Sequence, residues 1–308
     1  MKDNRLNSTV NPYKKLGNLL FGLLRGVVIC GICYYIIYPV LENVLFAFMT
    51  QGDLYDLRVG LIPKHWTLEN FKIVIEGSDF WSSTFNTLLV SVLVTVTQLI
   101  SCTLVGYGFA RFKFPLKKLL FGIVILVLIV PPQLIITPLY LNMRYFDILG
   151  LASLITGESI NLLNSVWVFV IIGMTCMGLK NGLYIYLIRQ FYRNMPKELE
   201  EAAKIDGCSY YSIFFRIVLP LIVPALVTSA IFSFIWRWDD YLSALLYVNR
   251  ASMRPVSLAL QLFNDPSSGS DIGSTLAMST LSIVPATIIF LIFQKSLVDG
   301  IASTGIKG

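Results

Sequence analysis

The length of its apolar blocks constrains this chain more than any other feature. Five stretches, near 27–48, 84–108, 119–140, 217–238 and 274–295, could each cross a hydrocarbon layer of about 30 Å, which takes roughly 20 helical residues. A sixth, near 163–188, is interrupted by GLKNG. In lipid every backbone N–H and C=O must be paired within the protein, which leaves only helices or closed barrels. Blocks this continuous lack the alternation of barrel strands. The sequence therefore predicts an all-α integral membrane protein with six transmembrane helices. Composition agrees: 56% of the 308 residues are hydrophobic and 14% charged, more apolar surface than a soluble domain buries.

The expected organisation is a tail at 1–26, a first span at 27–48, an outer loop at 49–83, a membrane core at 84–298 and a tail at 299–308. The first apolar block is longer than the roughly 7–15 residues of a signal-peptide core and lacks a small-x-small cleavage site, so a retained helix is expected. With the N-terminus inside, the inner segments hold 16 of the 24 Lys and Arg, the outer segments hold 7, and Lys180 lies within a span. That bias puts both termini in the cytoplasm. The net charge of +6 then reflects topology and implies no nucleic-acid partner. The five cysteines fall in or beside spans, and the CxxC of Cys30 and Cys33 lies on a membrane helix without a thioredoxin-like context.

Catalytic chemistry has little to stand on. The single histidine, His65, supports neither an HExxH zinc site nor a triad with a second histidine, and reads as a surface residue. No GxxxxGK[ST] occurs, so the chain itself carries no P-loop for ATP. No catalytic residue, metal site or resident cofactor is expected. Transport, anchoring or signalling remain.

One stretch breaks the apolar pattern: in KELEEAAKIDG (197–207), six of the ten residues before the glycine are charged. Asn194 is a suitable N-cap, Pro196 suits a first turn and Gly207 suits the left-handed position after the last turn, which predicts a helix near 195–207. At 100° per residue, Met195, Leu199, Ala202, Ala203 and Ile205 share one side, with Asp206 near its end. Lys197, Glu200, Glu201 and Lys204 lie opposite. A helix lying on lipid headgroups is one possibility. Its excess of acids disfavours an anionic leaflet and favours a protein partner.

The continuation EAAKIDGCSYYSIFFRIVLP resembles the EAA motif of bacterial binding-protein-dependent ABC importers, carried here by Glu201, Ala202, Ala203, Gly207, Ile217, Leu219 and Pro220. The stretches YGFARFKFPLKK, LIVPPQLIITPLY, FIWRWDDYL and the terminal GIKG resemble the second permease of maltose-type carbohydrate importers, so the likeness covers about 58–308. Two departures are the extra LASLITGESIN (151–161) in an outer loop and WDDYL in place of the usual Trp-Asn pattern. The resemblance implies a type I ABC importer permease fold with a cytoplasmic coupling helix between helices four and five. Leu199, Glu201, Ala202, Ala203, Asp206 and Gly207 would dock an ATPase, and Pro220 and Pro224 would form a coupling hinge, with plain helix entry the alternative for Pro220. It also implies a second homologous permease, two copies of an ABC ATPase that bind ATP and Mg, and an external solute-binding protein landing on loops 50–83, 141–162 and 239–273.

Polar residues within spans mark a candidate substrate path. Gln133 follows Pro131 and Pro132, Lys180 and Asn181 sit in the interrupted fourth block, and Trp236, Asp239 and Asp240 end the fifth. An interfacial aromatic belt, or pairing of Lys180 with an acid of a partner helix, would also account for them. A sugar or oligosaccharide is the expected substrate, and Lys180 raises the case of one carrying a carboxylate. The alternatives are an ABC permease for another solute, an ATP-independent carrier built from repeats, and a structural anchor. No internal repeat favours the carrier, and an anchor gives no reason for the charged helix.

Overall fold

The computed structural model describes residues 12–77, 79–148, 150, 153–154, 157–178, 180–264 and 271–305. The first eleven residues of the expected N-terminal tail, the last three of GIKG and parts of 151–161 lie outside them. Among the described residues the chain is helical without strands; two isolated bridges, Met49 with Trp66 and Phe146 with Ile160, are its β pairing. It divides into two compact units, one comprising the chain up to Lys72 with Asp271–Thr280, the other Ile73–Ser270 with Leu281–Gly308.

In the first unit α1 (Pro12–Ala47) is a single apolar helix. Its end is tied off by Asn70, whose amide donates to Ala47 O at 2.9 Å and Met49 O at 2.8 Å. Thr50 caps the short α2 (Gln51–Tyr55) by accepting from Asp53 N. The Asp53 carboxylate is buried, accepts from His65 N at 2.6 Å and contacts His65 Nδ1 at 2.9 Å. Phe48 packs against Trp66 and Phe71. At the start of the last helix Asp271 accepts from Ser274 N at 2.6 Å and from Gln51. Gly273 is required there, because a Cβ would sit 2.7 Å from the Asn70 amide. The expected loop is thus a folded element around two buried polar side chains. His65 is largely exposed yet orders it.

The second unit is organised around α4 (Phe80–Arg111), which follows α3 (Glu69–Gly77). Its buried side carries Ser83, Thr87, Val90, Ser91, Val94, Thr95, Gln98 and Cys102, small or polar residues of the kind that let membrane helices approach closely. Next come α5 (Lys117–Ile129), α6 (Pro132–Arg144), α7 (Trp167–Met174) and α8 (Asn181–Asn194). The amphipathic stretch is α9 (Glu198–Ile205). It is followed by α10 (Tyr210–Ile213), a π turn at Phe214–Val218, α11 (Leu219–Leu221) and α12 (Val223–Trp238). The unit closes with α13 (Tyr241–Tyr247), a 3₁₀ turn at Ala251–Met253, α14 (Val256–Phe263) and the greater part of α15 (Ile272–Gly305).

Among the described residues three helices are long and apolar enough to cross a membrane unbroken: Gly17–Ala47, Phe80–Arg111 and Ile272–Lys295. The third and fifth blocks are bent pairs, by 107° between Lys117–Ile129 and Gln133–Arg144 and by 70° between Tyr210–Leu221 and Val223–Trp238. Proline explains both, since it removes one ladder hydrogen bond and clashes with the carbonyl four residues back. Pro131–Pro132 sits at the first bend. At the second, Pro220 and Pro224 each fall in the first turn of a new helix, and Thr228 Oγ1 donates to Pro224 O at 2.9 Å.

The Asp53–His65 contact has a pH consequence. Hydrogen bonds from His65 hold the Asp53 carboxyl below its ordinary value of 3.8. A carboxylate lowered on folding stabilises the fold above its unfolded pKa, and that contribution is lost as pH falls through the folded value. Cleavage within 50–66, with each protease's rate normalised at every pH to an unstructured peptide, should therefore be slow at neutral pH and rise below the ordinary carboxylate range. Asp53→Asn should be cleaved readily at every pH.

Candidate functional site

The charged helix α9 starts later than its sequence predicts. Asn194 ends α8 instead of capping α9, because Met195 precedes Pro196 and is extended at φ −77°, ψ 133°. A residue before proline avoids the helical region. α9 begins at Glu198 with Lys197 at its N-cap and no side-chain cap. Gly207 has φ +79° and closes it, with Cys208 N donating to Ala203 O at 3.0 Å. Ser209 then caps α10 by accepting from Ser212 N.

The faces of α9 also differ from the helical wheel. Glu200, placed on the charged side by spacing, is buried, and so is Ala203. Arg111, in the last turn of α4, donates from Nε to Glu200 Oε1 at 2.6 Å and from Nη2 to Met195 O at 3.1 Å. The Tyr107 hydroxyl, one turn back, lies 3.4 Å from Glu200 Oε2. Its ring packs on Tyr192 and Phe214. A wheel sees only its own helix, whereas the partner cation is 89 residues away. Ala203 sits in the core with Ile213 and Val218. The surface left open carries Leu199, Glu201, Ala202, Ile205 and Asp206 and continues into Tyr210, Tyr211 and Phe215.

The fourth apolar block is broken between Thr175 and Lys180. Cys176 and Lys180 have φ of +57° and +63°, and Lys180 opens α8. α4 serves the groups the break exposes. Ser101 Oγ donates to Gly173 O at 3.0 Å, and Gln98 donates to the Asn181 side chain. Ser233 Oγ of α12 donates to Gln98 Oε1 at 2.6 Å, with Thr95 Oγ1 3.2 Å from Ser233 Oγ. Asn181 is therefore buried in a polar network joining α4, α8 and α12. Gly182 lets α8 close on α5, since a Cβ there would lie 2.8 Å from Val124 O.

The other path residues fall in two groups. Lys180 Nζ lies over the Trp236 ring at 4.6 Å, its sole partner among the described residues. Asp239 is exposed, whereas Asp240 is bound by Arg237 at 2.5 Å and caps α13 by accepting from Ser243 N. Gln133 is exposed at the start of α6. Beside the break lies an open cleft of 560 Å³ lined by Asn142, Tyr145, Asp147, Met174, Thr175 and Met177 among others. Sequence inspection missed Gln98, Arg111 and Glu200. Of these, Gln98 carried a signal, an amide near the middle of a predicted span.

Comparison with solved structures shows a shared fold. A bacterial ABC transporter described as involved in the import of the acidic polysaccharide alginate has a chain that superposes with a TM-score of 0.74 at 23% identity, covering 91% of this chain and 97% of that one. The chain belongs to the family of binding-protein-dependent transport system inner membrane components, whose profile matches residues 102–303. It is thus a membrane permease component and not an enzyme. Among its relatives, a probable ABC transporter permease of Bacillus subtilis is 34% identical over 89% of this chain and 84% of its own length. An arabinooligosaccharides transport permease of Halalkalibacterium halodurans is 29% identical over 90% and 93%.

The network at the break can be tested on its own. Gln98→Leu leaves the Asn181 side chain without its buried donor and Ser233 with Thr95 as its remaining hydroxyl neighbour, which costs about 1–3 kcal/mol. The thermal unfolding midpoint of the purified protein should fall, and Ser233→Ala added to that variant should cost little more.

Proposed function

We propose that this chain is one permease half of an importer that carries a sugar or oligosaccharide into the bacterial cytoplasm. ATP hydrolysis in separate subunits docked on α9 drives it. The observation that carries the proposal is the open face of α9. Leu199 and Ile205 are 44% and 87% exposed and lie beside Ala202, Glu201 and Asp206, next to Tyr210 and Tyr211 at 69% and 80%. An apolar patch edged with acids fits a protein groove better than an anionic lipid surface. ATP and Mg belong to that partner.

In this reading α1, α4 and α15 span the membrane directly, the two bent pairs supply two more spans, and α7 with α8 forms the sixth. Both termini are cytoplasmic, α9 lies inside between the fourth and fifth spans, and the membrane core runs over 84–298. A second homologous permease completes the pore, two ATPases drive it, and a solute-binding protein delivers the substrate; the binding-protein dependence in the family's description supports the last of these. The carbohydrate substrate is supported by the arabinooligosaccharides permease among the relatives; a non-carbohydrate solute is the alternative.

The proposed substrate path comprises Gln133, Lys180, Asn181, Trp236, Asp239 and Asp240, with direct contact placed first at Lys180 and Trp236 because they meet at the broken span. Asn181 then acts by fixing the start of α8, and Asp240 by fixing α13. Pro220 and Pro224 supply the hinge at the 70° bend.

Two experiments test this. Co-expressed with the ATPase and permease genes of its own importer, the chain should purify with two ATPase copies. Ala202→Trp, on the open face, should reduce ATPase recovery about ten-fold or more, the scale of losing one interface hot spot. Full recovery in that variant removes the docking proposal. In vesicles, Lys180→Ala should lower uptake of carboxylate-bearing oligosaccharides and spare neutral ones. If uptake of both is unchanged, the charge-reading role of Lys180 is wrong.

A further inference from the structure

The proposed docking helix has two physical connections to the membrane core, and only one follows the chain. The chain route leaves α9 through Gly207 at φ +79°, passes α10 and the π turn, and turns through 70° before α12. That route has several compliant points. The other route is a side-chain joint. Arg111 reaches from the last turn of α4 and grips α9 twice, by its ion pair with Glu200 and by its bond to the carbonyl of Met195 just before the helix. Both side chains are more than nine-tenths buried, at 7% and 9% exposure.

We infer that the Arg111–Glu200 pair is a rigid joint that passes the motion of α9 directly into α4, making α4 a second lever beside the fifth span. This rests on the proposal that an ATPase docks on α9. The pair suits the role because a buried, doubly held guanidinium has one fixed geometry. Removing either partner leaves a buried charge alone, so the joint does not slip easily. The Tyr107 ring, wedged between Tyr192 and Phe214, blocks sideways movement. α4 then runs unbroken to Gln98, which bonds Asn181, the neighbour of Lys180. A displacement of α9 therefore reaches the broken fourth span through one continuous helix and two hydrogen-bonded contacts. Arg111 and Glu200 are positioning residues; neither is assigned to the docking face or the substrate path.

The test measures substrate moved per ATP hydrolysed in proteoliposomes containing the complete importer. Glu200→Gln keeps the shape and removes the charge. It should leave the ATPase subunits bound at normal stoichiometry and hydrolysing ATP, while transport per ATP falls about ten-fold, the scale of one lost charge-assisted bond between buried groups. The reversed pair, Arg111→Glu with Glu200→Arg, should recover a substantial part of that ratio relative to Arg111→Glu alone. An unchanged ratio in Glu200→Gln overturns the inference. So does loss of the ATPase from that variant, which would make Glu200 a docking residue. A wild-type complex that purifies without any ATPase would instead overturn the docking proposal itself.

Discussion

Gln98 holds the broken fourth apolar block together, and much of the second unit depends on it. A helix interrupted inside a hydrocarbon layer exposes backbone groups that water cannot reach, and each costs several kcal/mol unless the protein supplies a partner. Here α4 supplies them. Ser101 takes the Gly173 carbonyl, and Thr175 turns its own hydroxyl back to Ile171 O at 2.7 Å. Gln98 fixes the side chain that starts the next helix and is itself fixed by Ser233. With the break satisfied, α8 can begin beside α5 at the distance Gly182 allows. Lys180 is then held over the Trp236 ring at the start of α8.

The two ends of α4 follow from the same choice of a long helix with a polar buried stripe. At its start, Thr87 Oγ1 accepts from Val256 N at 2.7 Å and Asn86 donates to Ser252 O at 2.8 Å, so the segment after α13 is strung along it. At its finish Arg111 is a cation at a helix C-terminus, which the helix dipole favours. One helix thus organises the start, middle and end of the unit through side chains spaced a few turns apart.

What the sequence made legible was local. The apolar blocks are helices because length and hydropathy suffice to specify them. Pro131–Pro132, Pro220 and Pro224 mark bends because proline cannot hide the loss of its N–H, and Gly207 marks the end of α9 because glycine alone adopts φ +79° without strain. What stayed hidden was distant in the chain. Glu200 looked like one more surface charge until Arg111 came into contact, and Ala203 looked like docking surface until Ile213 and Val218 covered it. Asn194 misled because a good cap was also a good last residue before a proline-restricted one. The segment at 49–83 read as a loop because Asp53, His65 and Asn70 acquire their roles only across tens of residues.

The 70° bend at Ile222 has a mechanical meaning of its own. Two rods that meet at a steep angle pass little of an axial push from one to the other, and most of it becomes a swing of the second rod about the corner. Under the proposed docking, a displacement arriving along Tyr210–Leu221 would therefore reach Trp236 and Trp238 at the far end of α12 as a sideways arc. The size of that arc scales with the sixteen residues of α12, so its reach is a matter of helix length, and shortening or lengthening α12 by a turn changes the stroke without touching a single contact at the corner.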